Sequence, residues 1–168
     1  MIELVKYNEG HKKRLIELIG NINVSKWLTT VPHPYTEKDA DFWIKLSQEE
    51  TGGIPTQFAI ENDGEYIGGI GLHPDSSKPG VKPYKSEVGY WLGEPYWGKG
   101  HASVALQKIL EYAFKDLKMV RVYAYTFVGN ERSDHLLERN GFECEGLLRK
   151  SHKKDEKIFD SKLYAKVI

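Results

Sequence analysis

Apolar and polar positions change their period several times along this chain. Residues 2–6 (Ile-Glu-Leu-Val-Lys) alternate as a short strand does, whereas Leu15, Ile16, Leu18 and Ile19 recur at helical spacing within residues 9–19. Gly20, Pro32 and Pro34 break residues 20–35 into a loop with at most short helical turns. Thr36-Glu37-Lys38-Asp39 then resembles a capping box, and Ala40, Trp43, Ile44 and Leu46 continue a helix to about residue 50. The middle of the chain reads as β. Residues 57–62 and 65–72 flank Asp63-Gly64, a strong hairpin signal, and after a Pro/Ser/Gly/Lys loop at 74–85 a further strand covers 86–92. A glycine-punctuated turn at 93–100 opens into a helix carrying Ala102, Val104, Ala105, Leu106, Ile109 and Leu110 on its apolar positions. Residues 119–127 are β-rich and 131–139 helical with a stop at Gly141. Segments 142–148 and 158–167 read as strands joined by a Lys-Lys-Asp-Glu turn. The pattern predicts a mixed α/β (α+β) fold around one sheet.

Composition narrows this picture. At 168 residues the chain is sized for one domain, 1–168, and 40% hydrophobic with 12% aromatic residues suffices for a core. The 24 Lys+Arg balance 24 Asp+Glu, so no global field favours a polyanion, and nucleic acid and acidic membranes are not expected partners. The basic run 149–154 reads as a solvated hairpin. No apolar stretch reaches the ~20 residues that span a bilayer, and the charged N-terminus lacks a signal-peptide core. A cytoplasmic protein is expected. The single Cys144 offers neither a disulfide partner nor metal spacing, and reads as a buried strand thiol.

The turn Gly93-Glu94-Pro95-Tyr96-Trp97-Gly98-Lys99-Gly100-His101-Ala102-Ser103 has several readings. A Walker A loop needs a hydroxyl residue after Lys99, where Gly100 stands. A dinucleotide fingerprint needs Gly at 103, where Ser stands. A plain strand-to-helix connection would need the glycines only for its turn. A pyrophosphate cradle would use Gly98 and Gly100 to let oxygens approach the backbone, with the N–H groups of 98–103 at a helix N-terminus and no metal.

The neighbours of this loop bear on the choice. Glu-Val-Gly-Tyr-Trp-Leu at 87–92, Tyr-Trp-Gly-Lys-Gly-His-Ala at 96–102, Asn130-x-x-Ser133 and the ending Asn140-Gly141-Phe142 with Glu145-Gly146 together resemble the GNAT superfamily of acyl-CoA N-acetyltransferases. The similarity covers most of the chain and is greatest for the RimJ/RimL-like branch, which the segment Pro34-Tyr35-Thr36-Glu37 to Trp43 also resembles. The resemblance implies a largely antiparallel central sheet of about seven strands with about four helices. It implies acetyl-CoA as co-substrate, no metal, and a monomer or homodimer. The superfamily loop is [QR]-x-x-G-x-[GA], and Trp97 stands where Gln or Arg is usual. Many members carry a Tyr general acid where this chain has Leu137.

The residues that the resemblance implies for the cofactor are Tyr90, Trp91 and Leu92 through their backbone, Trp97, Gly98, Lys99, Gly100, His101, Ala102 and Ser103 in the cradle, and Asn130 with Ser133 on the pantetheine arm. The chemistry is attack of an amine on a thioester. A lysine-like amine of pKa ~10.4 is only about 0.04% neutral at pH 7, whereas an α-amine near ~8 is roughly a tenth neutral and needs less help. Glu87 is the first candidate base, directly or through water, or else a solvent-facing strand residue. His152 is the second, or else a solvated member of the basic run. Ser133 is a candidate donor to the leaving sulfur, or a helix cap. Trp27, Tyr35, Phe42 and Trp43 either line an acceptor groove or pack the N-terminal helices. The leading expectation is acetyl transfer to a protein N-terminus or a small amine. The alternative is a catalytically silent acyl-CoA-binding module.

Overall fold

A computed structural model of the chain describes residues 1–50, 54–75 and 81–168, so part of the expected 74–85 loop lies outside the described residues. The strands are β1 (Ile2–Val5), β2 (Gln57–Asn62), β3 (Glu65–Pro74), β4 (Lys85–Leu92), β5 (Arg121–Phe127), β6 (Glu143–Lys154) and β7 (Lys157–Val167). The helices are α1 (Lys12–Ile19), α2 (Ile22–Ser25), α3 (Glu37–Ser47), α4 (His101–Glu111) and α5 (Glu131–Arg139). All seven strands form one sheet in the order β1-β2-β3-β4-β5-β7-β6. Neighbours are antiparallel except β4 and β5.

Local chemistry accounts for most of these boundaries. Asp63 and Gly64 both adopt positive φ (50° and 81°), as a two-residue hairpin turn between β2 and β3 requires. Thr36 accepts from the Asp39 N–H while Asp39 accepts from the Thr36 N–H, which fixes the start of α3. Gly141, at φ 82°, ends α5 and lets the Phe142 N–H reach the Leu137 carbonyl.

Strand alternation then divides the core. Val88 and Leu92 of β4 point with Val122 and Ala124 of β5 beneath α4 and α5, whose Leu106, Ile109 and Leu137 are fully buried. On the opposite face α1–α3 cover the first half of the sheet, with Leu15, Leu18 and Ile44 in one cluster with Tyr66 of β3. Burying each large aliphatic side chain contributes about 1.5–3 kcal/mol.

Two features of the second half differ from the sequence expectation. The strand expected at 142–148 continues to Lys154, so the basic run is a strand of the β6–β7 hairpin, with Arg149, Lys150, Ser151 and Lys153 exposed to solvent as expected. Between Leu148 and His152 the register shifts, Lys150 takes φ 51°, and its N–H bonds Asp160 Oδ1 at 2.8 Å. At the far end Lys154 is buried, and its Nζ donates to the Val31 carbonyl at 2.7 Å and to that of Leu28. Cys144 is the second correction: it is exposed, because β6 is the edge of the sheet and its first residues lack a covering layer.

Candidate active site

The parallel pairing of β4 with β5 covers only Lys85–Glu87 against Arg121–Tyr123. β4 runs on to Leu92 paired with β3, and β5 runs on to Phe127 paired with β7. The two strands therefore part after Glu87 and leave a fork in the middle of the sheet.

At the open end of the fork lies the glycine loop. Gly93 is close-packed, since a Cβ there would meet Leu18 Cδ2 at 2.6 Å. Gly98 and Gly100 differ: both have positive φ (72° and 79°), and a Cβ on either would project into open space. Gly100 is the N-cap of α4 and has no side-chain cap bond, while its carbonyl accepts from Ser103 and Val104. Among the described residues, the N–H groups of Gly98 to Ala102 meet no carbonyl, as expected of a helix start. These unpartnered amides and the clear space over two glycines fit a diphosphate. Ser103 is committed elsewhere, its N–H to Gly100 and its Oγ to Asn140 at 3.1 Å. Lys99 holds its ammonium 5.8 Å from the Tyr96 ring, and His101 begins α4. Trp97 is pinned by its indole N–H on the Leu92 carbonyl at 2.8 Å, and Arg132 stacks on its ring with Cζ 3.6 Å from the centroid.

Where the fork closes, Glu87 stands in register with His73 on β3 and Tyr123 on β5. Tyr123 donates to Asp75 Oδ1 at 2.7 Å, and Lys85 lies 3.0 Å from Asp75 Oδ2. Burial raises the Glu87 carboxyl above its ordinary pKa, and the Asp75 charge adds to it. Burial lowers His73, which favours its neutral imidazole. Tyr123 is pushed up by burial and by its bond to Asp75. Glu87 is half-buried, so it is not a freely solvated strand residue.

Ser133 approaches the fork from the other face. Its Oγ lies 2.6 Å from the Tyr90 hydroxyl and does not cap α5, whose N-cap residue, Asn130, makes no side-chain cap bond either. The Asn130 side chain is thus left for other partners. Burial raises the Tyr90 phenol, so it stays protonated. Leu137, by contrast, is fully buried in the core. Trp91 alternates to the Glu87 face, where its ring meets Tyr66 edge-on at 6.2 Å.

His152 is half-buried, its ring 5.1 Å from Tyr125 and 5.7 Å from Phe127, with Nδ1 3.1 Å from Ser161 Oγ. Tyr123 and Tyr125, with ring centroids 5.8 Å apart, stand between it and Glu87 on one face. Of the N-terminal aromatics, Trp43 packs edge-on against Tyr7 at 5.9 Å, Tyr35 and Trp27 are half-buried, and Phe42 is 69% exposed. Sequence reasoning missed His73, Asp75, Tyr123, Arg132 and the side-chain role of Tyr90. Only Tyr90 left a trace, since the alternation through Val88 and Leu92 assigns it to the α5 face.

Residues 2–143 match the family model described as Acetyltransferase (GNAT) domain. The chain belongs to the GNAT acetyltransferase family. It is 33% identical over 144 residues to the putative ribosomal N-acetyltransferase YdaF of Bacillus subtilis (strain 168), covering 82% of this chain and 75% of that protein. It is 30% identical over 177 aligned positions to the ribosomal-protein-serine acetyltransferase of Escherichia coli (strain K12), covering 99% and 93%. The fold is shared with a solved RimL ribosomal L7/L12 alpha-N-protein acetyltransferase in complex with coenzyme A, at a TM-score of 0.81 and 21% identity over 99% of this chain and 94% of that one. The RimJ/RimL-like resemblance and the seven-stranded GNAT fold are thereby established. Among the described residues, no cluster of His, Cys, Asp and Glu is placed to hold a metal, and no helix is long and apolar enough to cross a membrane.

Proposed function

We propose that this protein transfers the acetyl group of acetyl-CoA to the α-amine of a protein N-terminus, or to a small amine of similar pKa. The observation that carries this reading is the fork, with unpartnered amides at its open end and a proton acceptor where it closes. Acetyl-CoA supplies an activated thioester; everything else is done by this chain. Gly98, Lys99, Gly100, His101 and Ala102 hold the diphosphate through backbone N–H groups, flanked by Trp97 and Ser103. Tyr90, Trp91 and Leu92 lie on the stretch of β4 that β5 abandons but β3 still pairs, where backbone groups facing the open edge, other than the Leu92 carbonyl held by Trp97, are available to the pantetheine arm and the acetyl oxygen. Asn130 offers its free amide to the same arm.

Glu87 takes the proton from the attacking amine, and its raised pKa brings it nearer to that task than an ordinary carboxylate. On the other face Tyr90 and Ser133 share a hydroxyl–hydroxyl bond in which either can donate; with Tyr90 as the donor, the serine proton is free for the departing sulfur. His152, behind Tyr125, lies on the acceptor side and serves best as a polar wall or second proton acceptor. The names of the curated relatives favour a protein α-amine, and such an amine needs little deprotonation. A cytoplasmic monomer or homodimer built on a single domain, 1–168, belongs to the same reading.

The test is a panel of N-terminal peptides and small amines incubated with acetyl-CoA and read by mass spectrometry. A +acetyl product on an α-amine, with release of free CoA, is expected. Acetyl-CoA binding without turnover on any member would instead identify a silent acyl-CoA-binding module.

A further inference from the structure

Arg132 has no carboxylate within 4.0 Å among the described residues, although its guanidinium is held in a fixed place. It lies in the first turn of α5, where the helix dipole disfavours a cation. Glu94 is near enough to feel its charge, yet both Glu94 oxygens are engaged by the side-chain amides of Asn21 and Asn23. What holds Arg132 is Trp97, whose ring is itself pinned by the Leu92 carbonyl. Stacking uses the flat face of the guanidinium and leaves its N–H donors free at the edge. Trp97 directly precedes Gly98, so this cation stands beside the first amides of the cradle, joining the start of α5 to the loop that starts α4.

We infer that Arg132, held on Trp97, is the side-chain cation that grips a phosphate group of the acyl-CoA nucleotide. The inference rests on the proposed acetyl-CoA reading and adds a residue to it. An arginine presented edge-on donates two parallel hydrogen bonds to a phosphate, which a solvated lysine does not. It also explains how the loop tolerates an indole at 97. The aromatic ring does not contact the anion; it positions a guanidinium that does.

Calorimetric titration of the full chain with acetyl-CoA, repeated across a salt series, tests this. Arg132→Met is expected to weaken binding about 10–100-fold and to flatten the salt dependence by about one ion. Arg132→Lys recovers only part of the loss, because the planar stack is gone. Trp97→Leu weakens binding in the same direction, and the two losses do not add. Arg132 is exposed, so its two variants should melt as wild type does. Wild-type affinity in Arg132→Met, or a loss with an unchanged salt slope, overturns the clamp. Gly100→Val separates the two proposals. If it alone loses binding, the cradle stands and the clamp fails; if neither variant loses binding, the acetyl-CoA site itself is misplaced.

Discussion

Glu87 shows how a single side chain takes its character from where three strands meet. Burial on the β4 strand, with the Asp75 carboxylate in its field, raises its pKa, so its ionised form is less favoured in the folded protein than in an unfolded chain. A raised folded pKa means that stability from this group is present below the unfolded value and is lost as pH rises through the folded one. Glu87→Gln removes that loss, so the variant melts at or slightly above the wild-type temperature at neutral pH. Its turnover should nevertheless fall about 100-fold or more, the scale of a positioned general base. The pH profile of kcat/KM carries the distinction. Wild type rises through the Glu87 ionisation and again as the acceptor amine deprotonates, whereas the variant keeps only the second rise. An unchanged lower limb in the Gln variant would remove Glu87 from proton transfer and make it a packing residue.

At the scale of elements, the β6–β7 hairpin is the part that periodicity described least well. Helix and strand positions with clear alternation or capping chemistry were legible, as Thr36–Asp39, Asp63-Gly64 and Asn140-Gly141 show. The glycine loop was legible too, because Gly98 and Gly100 have backbone angles that other residues adopt at a cost. Arg149 to Lys154 was not. Its charges face solvent as they signalled, but they gave no sign that the chain continues as strand and uses the buried Lys154 as a tether to the α2–α3 connection. Nor did any local pattern reveal that Tyr123 and Asp75 would meet beside Glu87, or that Tyr90 would reach Ser133. Those contacts arise from strand order, which depends on long-range pairing. Lys154→Met tests the tether. Losing a charged donor to two carbonyls should cost about 1–3 kcal/mol, seen as a drop of several degrees in Tm at roughly 2–4 °C per kcal/mol. Amide exchange should quicken first at the hairpin tip and along β6. Identical melting and identical exchange would mean that water replaces the ammonium without consequence.

For the molecule as a whole, the 24-to-24 charge balance and the fork give a joint expectation about which anions bind. A neutral protein lacks the broad positive field that concentrates a polyanion, and duplex DNA binding depends on many released counterions. The fork needs no such field. Its amides are oriented by α4, and they act over a few ångströms on one diphosphate. Its two walls belong to the two halves of the sheet, which share only the Lys85–Glu87 pairing at the point of divergence. A ligand seated between them favours the folded state by mass action, about 2.7 kcal/mol at a hundredfold excess over Kd. For a chain of this length that is roughly 5–10 °C in Tm. Duplex DNA at the same phosphate concentration should leave Tm within about 1 °C, since no field gathers it. Differential scanning fluorimetry with the two ligands side by side measures both. Equal shifts would show that the site responds to negative charge in general, and the anion would then be read by a basic surface rather than by oriented backbone.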